Sequence, residues 1–224
     1  MPIVVAVDGP AGSGKSSICQ AVANQLGFTY VNTGALYRAV GYLALQHGVS
    51  LDDSEGLVKL VGEQGKDITW NPESGHLHFA GEDISPKLHT EDVGKAASAV
   101  AKVAALRAAL LPLQRKWAQS APVGAIIDGR DIGTVVFPRA DVKIFLTASL
   151  EQRAKRRLLQ LGDEADAELA EIQDDLAKRD TQDSERASAP LKQADDAHLF
   201  DTSAMDFKQS VQALVAFIEA QIEL

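Results

Sequence analysis

One octapeptide constrains this chain more than any other: Gly9-Pro10-Ala11-Gly12-Ser13-Gly14-Lys15-Ser16. It follows a short β-branched apolar run, Ile3–Val7, and precedes a segment in which Ile18, Val22 and Leu26 recur every four residues. That order is strand, glycine-rich turn, helix, and the spacing is that of a P-loop. Glycines let the backbone wrap closely, so that successive N–H groups and the helix N-terminus aim at phosphate oxygens. Lys15 then reaches the β and γ phosphates, the Ser16 hydroxyl is placed to ligate Mg²⁺, and Ser17 completes the first helical turn. The pattern implies a bound nucleoside triphosphate.

The rest of the chain continues the rhythm. The first helix is expected to stop at Gly27 and a second strand to span Phe28–Val31. Thr33 is then expected to cap a helix running to about His47 and stopped by Gly48. Ala125–Ile127, Val142–Leu146 and His198–Phe200 read as further buried strands, and Phe207, Val211, Leu214, Val215 and Ile218 mark a last amphipathic helix. Apolar strands alternating with helices predict an α/β fold with a parallel sheet covered on both faces.

Two segments interrupt it. Residues 67–84 read as a small hairpin, followed by Ala-rich helical stretches near Thr90–Ala101 and Leu106–Ser120. Residues 162–189 hold ten acids against three bases with few apolar anchors, which predicts a partly helical, poorly packed segment suited to a mobile lid. The chain thus divides into a core (about 1–50, 121–150 and 190–224), an inserted region (about 51–120) and a lid (about 151–189), all in one domain.

Charge and composition remove several function classes. With 22 bases against 31 acids the net charge is −9, too acidic for a broad nucleic-acid-binding surface. A few arginines gathered in one cleft can still hold a small anion. The longest stretch free of Asp, Glu, Lys and Arg, Ser16–Tyr37, is too rich in Ser, Thr, Asn and Gln to cross a bilayer. One cysteine, Cys19, excludes a disulfide framework and suits a reducing compartment. With no secretory pattern at the start of the chain, a cytoplasmic protein working as a monomer is expected.

Regulatory GTPases read guanine with Asn-Lys-x-Asp, and no such tetrapeptide occurs. The second half carries Arg130, Arg153, Arg156, Arg157, Arg179 and Arg186 instead. Arg153, Arg156 and Arg157 share one helix face, which reads either as solvated charge or as a clamp on a transferring phosphoryl group. Thr33 and Arg38 read either as cap and surface residue or as a second phosphate site. Asp128 closes an apolar strand, where it either caps a turn or holds Mg²⁺; Asp8 is similarly placed and ranks lower. His76 and His78 read as a solvent-facing hairpin pair rather than a metal site.

At this point the sequence closely resembles bacterial cytidylate kinases along nearly its whole length. The resemblance rests on the P-loop, Thr33-Gly34-Ala35-Leu36-Tyr37-Arg38, Gly81-Glu82-Asp83-Ile84-Ser85, Asp128-Gly129-Arg130-Asp131-Ile132-Gly133 and Arg179-Asp180-Thr181-Gln182-Asp183-Ser184-Glu185-Arg186. Leu88-His89-Thr90 departs from the Ile-Arg-Thr common in that family. The resemblance implies transfer of a phosphoryl group from ATP to CMP or dCMP, with Mg²⁺, and makes the inserted region the monophosphate-binding one. It implies that Thr33, Arg38 and Arg130 hold the CMP phosphate, that Ser98, Arg107 and Asp131 contact cytosine, that Asp183 and Arg186 face the sugar, and that Tyr37 is among the substrate-binding residues. Lys15, Arg130, Arg153, Arg157 and Arg179 become the candidates for stabilising the transferring group. A P-loop kinase acting on a hydroxyl, with Asp128 as base, and a nucleotide-binding switch without turnover are the competing readings.

Overall fold

The computed structural model describes residues 2–71, 74–161 and 168–222. Its centre is a five-stranded, wholly parallel sheet of β1 (Ile3–Asp8), β2 (Thr29–Asn32), β6 (Gly124–Gly129), β7 (Val142–Thr147) and β8 (His198–Asp201). The order across the sheet is β2-β6-β1-β7-β8. Val5, Val7, Ile126, Ile144 and Leu146 point to one face, where α1 (Lys15–Leu26) and α8 (Phe207–Ile222) cover them. Ala6, Val31, Ala125 and Ile127 point to the other, under α2 (Thr33–His47). Alternation of side chains along buried strands therefore feeds two separate cores, as the sequence predicts.

Local chemistry sets the element ends. Gly14 starts α1 in the left-handed region at φ 84°, and Gly27 and Gly48 end α1 and α2 there, at φ 66° and 65°. The α2 cap differs from expectation. Asn32 is the N-cap, its side chain accepting from the Ala35 N–H at 3.0 Å, and Thr33 is the first helical residue. That frees the Thr33 hydroxyl to donate to the Asp128 carbonyl at 2.7 Å, tying α2 to the end of β6.

The insert comprises α3 (Ser54–Gln64), an antiparallel sheet of β3 (Ile68–Asn71), β4 (His76–Phe79) and β5 (Glu82–Asp83), then α4 (Glu91–Val100) and α5 (Ala104–Gln119). Leu57, Ile68, Leu77, Leu88, Val93, Leu106 and Leu110 join α2 and the sheet in one continuous core. No single helix among the described residues is long and apolar enough to cross a membrane.

The expected lid is two helices with a small core. α6 (Leu150–Leu161) and α7 (Leu169–Glu185) pack together, and Ala154, Ile172 and Leu176 are buried with Ala11 of the P-loop in a cluster of their own. Few anchors were visible in the sequence, but those present converge on one spot. Residues 162–167, which belong to the expected lid, lie outside the described residues.

Candidate active site

The P-loop connects β1 to α1, and its geometry follows from close backbone approach. A Cβ on Gly9 would come within 2.0 Å of the Leu146 carbonyl, so only glycine lets β1 leave the sheet beside β7. Lys15 is buried, its Nζ donating to the Pro10 carbonyl at 2.7 Å and to Ser13 Oγ at 3.2 Å. Burial, then the charge of Arg130, push its ammonium well below the usual range, while Asp128 opposes them. Ser16 Oγ donates to Asp128 Oδ2 at 2.8 Å; Asp128 Oδ1 is buried with no hydrogen bond among the described residues. Burial raises the Asp128 carboxyl against the pull of Lys15.

These groups open onto a cavity of about 600 Å³, within the usual size of small-molecule sites. Ala11 to Ser17, Thr33, Tyr37, Arg38, Ser98, Arg107, Asp128, Arg130, Asp131, Arg157, Arg179, Asp183 and Arg186 all line it. Gly9, Pro10 and Arg153 do not. Gly9 packs on β7, and Pro10 supplies the carbonyl that holds Lys15. Arg153 is turned under the P-loop, donating to the carbonyls of Ala11 (2.9 Å) and Ala148 (3.0 Å) and pairing with Asp180 at 2.7 Å. Asp180 also accepts from the Ala11 N–H at 3.3 Å, so Arg153 joins lid to P-loop as a brace rather than as a phosphate ligand. Arg156 is likewise structural, donating to Ser13 and Thr202.

Among the described residues seven cations line the cavity, Lys15 with Arg38, Arg107, Arg130, Arg157, Arg179 and Arg186, against the three carboxylates Asp128, Asp131 and Asp183. In a chain of net charge −9 that inversion selects an anion of several charges. Burial, then Arg130, lower Arg179 to about 10, and its Nε has no hydrogen-bond partner among the described residues. Arg130 is oriented by Asp183 at 2.8 Å and Arg38 by the Leu88 carbonyl at 2.8 Å.

At another part of the wall Asp131 pairs with Arg107 and, at 3.5 Å, with Arg186. Its neighbour Arg130 is not its partner. Arg107 also lies over the Tyr37 ring, 5.2 Å from its centroid. Ser98 donates back to the Gly94 carbonyl at 3.2 Å and keeps its oxygen available as an acceptor. His89 and His76 line the cavity too, and His76 Nδ1 sits 2.8 Å from Asp83. No cluster of metal-ligand type is found among the described residues. The hairpin's arrival beside Gln20 of α1, and the presence of Tyr30 in the wall, had no signal in the local pattern.

Asp8, the other strand-end carboxylate, accepts from the N–H groups of Ile132 and Gly133, both at 2.7 Å. It shapes the turn after Arg130-Asp131 rather than a metal site. Burial raises its pKa to about 6 against those two bonds. A carboxyl raised in the fold binds its proton more tightly there than in the unfolded chain, so its contribution to stability falls as pH rises from about 4 to about 6. Asp8→Asn cannot ionise and should lack that slope. Urea melts at pH 4 to 7 should therefore show wild type losing up to ~3 kcal/mol relative to the variant. Parallel slopes would mean that Asp8 stays ionised throughout.

The cytidylate kinase family model matches residues 5–220. The chain belongs to the cytidylate kinase family. A cytidylate kinase from Aeromonas hydrophila is 43% identical over 223 residues, covering 99% of this chain and 96% of that protein. One from Mannheimia succiniciproducens is 43% identical over 229 residues, covering 99% and 98%. A solved shikimate kinase from Bacteroides thetaiotaomicron overlaps it at TM-score 0.46 with 15% identity, over 99% of each chain. The chain is thus a kinase acting on nucleotides, and membership of a kinase family implies ATP as its phosphate donor.

Proposed function

We propose that this kinase transfers the γ-phosphoryl group of ATP to CMP or dCMP, giving ADP and CDP or dCDP, with Mg²⁺. The observation that carries the reading is the division of one cavity between a P-loop faced by Arg38, Arg130, Arg157 and Arg179 and the buried Arg107–Asp131–Arg186 group. The first end suits phosphates; the second suits a base that both donates and accepts. The region 51–120 serves the monophosphate and 151–189 closes over the donor, both within one kinase domain.

The residues at the first end fit a divalent cation. Asp128 Oδ1 is a buried acceptor without a partner, and Ser16 stands at the other oxygen of the same carboxylate. Ser16 and Asp128 would hold Mg²⁺, which when bound supplies positive charge to the β and γ phosphates. The chain's own groups do the rest. The P-loop N–H groups, from Gly12 to Ser17, position the donor phosphates, and Lys15 turns from Pro10 toward them. Arg38 and Arg130 fix the CMP phosphate for in-line attack, joined by Thr33 once its hydroxyl turns from the Asp128 carbonyl, and Arg157 and Arg179 from the lid neutralise charge as it spreads over the transferring group. No general base is required, because the attacking phosphate, with a second pKa of about 6, is already largely ionised at neutral pH.

A carboxylate offers about four lone-pair sites, so Asp131 can serve Arg107 and Arg186 and still accept from the cytosine amino group. Arg107 would meet its acceptor edge, joined by Ser98 once its hydroxyl turns from the Gly94 carbonyl to the base, while Asp183 and Arg186 face the sugar. Uracil would turn a carbonyl oxygen toward Asp131. Steady-state assays with CMP, dCMP, UMP, AMP and shikimate decide the matter. Turnover with CMP and dCMP at about 10²-fold the kcat/KM of UMP, and none with shikimate, is the expected result. Phosphorylation of shikimate in preference to CMP would replace the reading with hydroxyl transfer, and no ADP with any acceptor would replace it with a switch.

A further inference from the structure

Tyr30 lies on β2 opposite Ile126 of β6, and Asn32, two residues on, lies opposite Asp128. Side chains two apart on a strand share a face, so Tyr30 and Asp128 are diagonal neighbours on the side of the sheet covered by α1. Diagonal neighbours stand roughly 7–8 Å apart, a gap an aromatic side chain can span. The Tyr30 ring is held in place by Trp70 of β3, centroids 6.3 Å apart and planes at 74°, and the residue is 7% exposed. Its hydroxyl is buried and interacts electrostatically with Asp128 and Ser16, yet has no partner within full hydrogen-bond geometry among the described residues. Asp128 Oδ1 is in the same condition, and both residues line the cavity.

A buried donor and a buried acceptor, each unsatisfied and set side by side at the edge of a polar cavity, call for each other or for a shared water. Packing alone does not require the hydroxyl, since phenylalanine would fill the space under α1 and against Trp70 equally well. Ser16 already donates to Asp128 Oδ2, which leaves Oδ1 for another donor.

We infer that Tyr30 is a positioning residue for Asp128: its phenolic O–H donates to Asp128 Oδ1, directly or through one ordered water, and fixes the carboxylate for the divalent cation. The inference rests on the reading of Ser16 and Asp128 as the metal-holding pair. It makes β2 a contributor to the metal end of the site, not only to the core. It also gives Asp128 two oriented donors, so that the carboxylate is held before metal arrives.

The test compares wild type, Tyr30→Phe and Asp128→Asn. Mn²⁺ is titrated into each protein saturated with the β,γ-imido analogue of ATP and followed by electron paramagnetic resonance. Turnover is measured against Mg²⁺ concentration in parallel. For Tyr30→Phe the expected results are Mn²⁺ binding weakened about tenfold, a Mg²⁺ requirement raised to match, and wild-type kcat restored at saturating Mg²⁺. The KM for CMP and the thermal midpoint should stay near wild type. Unchanged Mn²⁺ binding, or a loss of activity that Mg²⁺ does not restore, overturns the inference and leaves Tyr30 a core residue. Asp128→Asn separates the two readings: if it too leaves Mn²⁺ binding unchanged, the assignment of Asp128 to the metal fails, and the role of Tyr30 falls with it.

Discussion

Replacing Lys15 by alanine should lower kcat by about 10³-fold or more while the protein stays folded. Lys15 is the P-loop cation, and groups aimed at charge developing on a transferring phosphoryl are each worth roughly 10²–10⁵ in rate. The fold has little to lose. The ammonium is buried among the P-loop amides with Arg130 nearby, and desolvation already disfavours its charge. Its two hydrogen bonds, to Pro10 and Ser13, are made within its own loop. A thermal midpoint equal to or slightly above that of wild type is therefore expected beside the lost turnover. Turnover within tenfold of wild type would remove the P-loop from the chemistry, and a collapse of the midpoint would make Lys15 a structural residue.

Asp131→Asn should lower kcat/KM for CMP by about 10²-fold and narrow the CMP/UMP ratio at least tenfold, roughly 1.4 kcal/mol. Asparagine keeps the shape but offers one oxygen where Arg107 and Arg186 need two, and it turns an amide donor toward either a guanidinium or the base. That donor suits the uracil carbonyl and repels the cytosine amino group. Kinetics with both substrates, on wild type and variant, separate two roles. Loss with both substrates at an unchanged ratio would mean that Asp131 only holds its two arginines. Loss concentrated on CMP means that it reads the base. Asp131→Ala is the blunter variant, and its two buried, unpaired guanidinium groups should cost about 3–5 kcal/mol of stability.

Much of this site is contiguous in sequence, which is why it could be read. The P-loop carries its own turn chemistry, and Arg130 and Asp131 follow directly on a buried strand. What could not be read has physical causes. Arg153, Arg156 and Arg157 share a helix face, but spacing gives a direction and not a destination. Arg153 passes under Ala11, Arg156 reaches Thr202, and only Arg157 enters the cavity. Asp8 and Asp128 both end strands, yet Asp8 pairs across the sheet with Gly129 and Asp128 with Val7. With a side-chain period of two, that offset of one sends them to opposite faces, one to backbone amides and one to Ser16. Tyr30 looked like core because most of it is; the hydroxyl acquires meaning only from a residue nearly a hundred positions away. The Asn32 cap was missed because serine, threonine, asparagine and aspartate cap almost interchangeably, and two such residues stand side by side.

The lid rests on its own small core, and this sets a ceiling on the working temperature. The insert shares its apolar contacts with α2 and the sheet, so it melts when the molecule melts. Among the described residues the lid's buried apolar anchors are few, Ala154, Ile172 and Leu176 against Ala11 of the P-loop, and the rest of its hold is polar: Arg153 and Asp180 at Ala11, Arg156 at Ser13 and Thr202, Asp183 at Arg130 and Arg186 at Asp131. So few anchors release at a lower free energy than the main cores do. Heat inactivation should accordingly run ahead of global unfolding, and mutations selected for activity in warmer conditions should gather at those four positions rather than in the much larger clusters around the sheet.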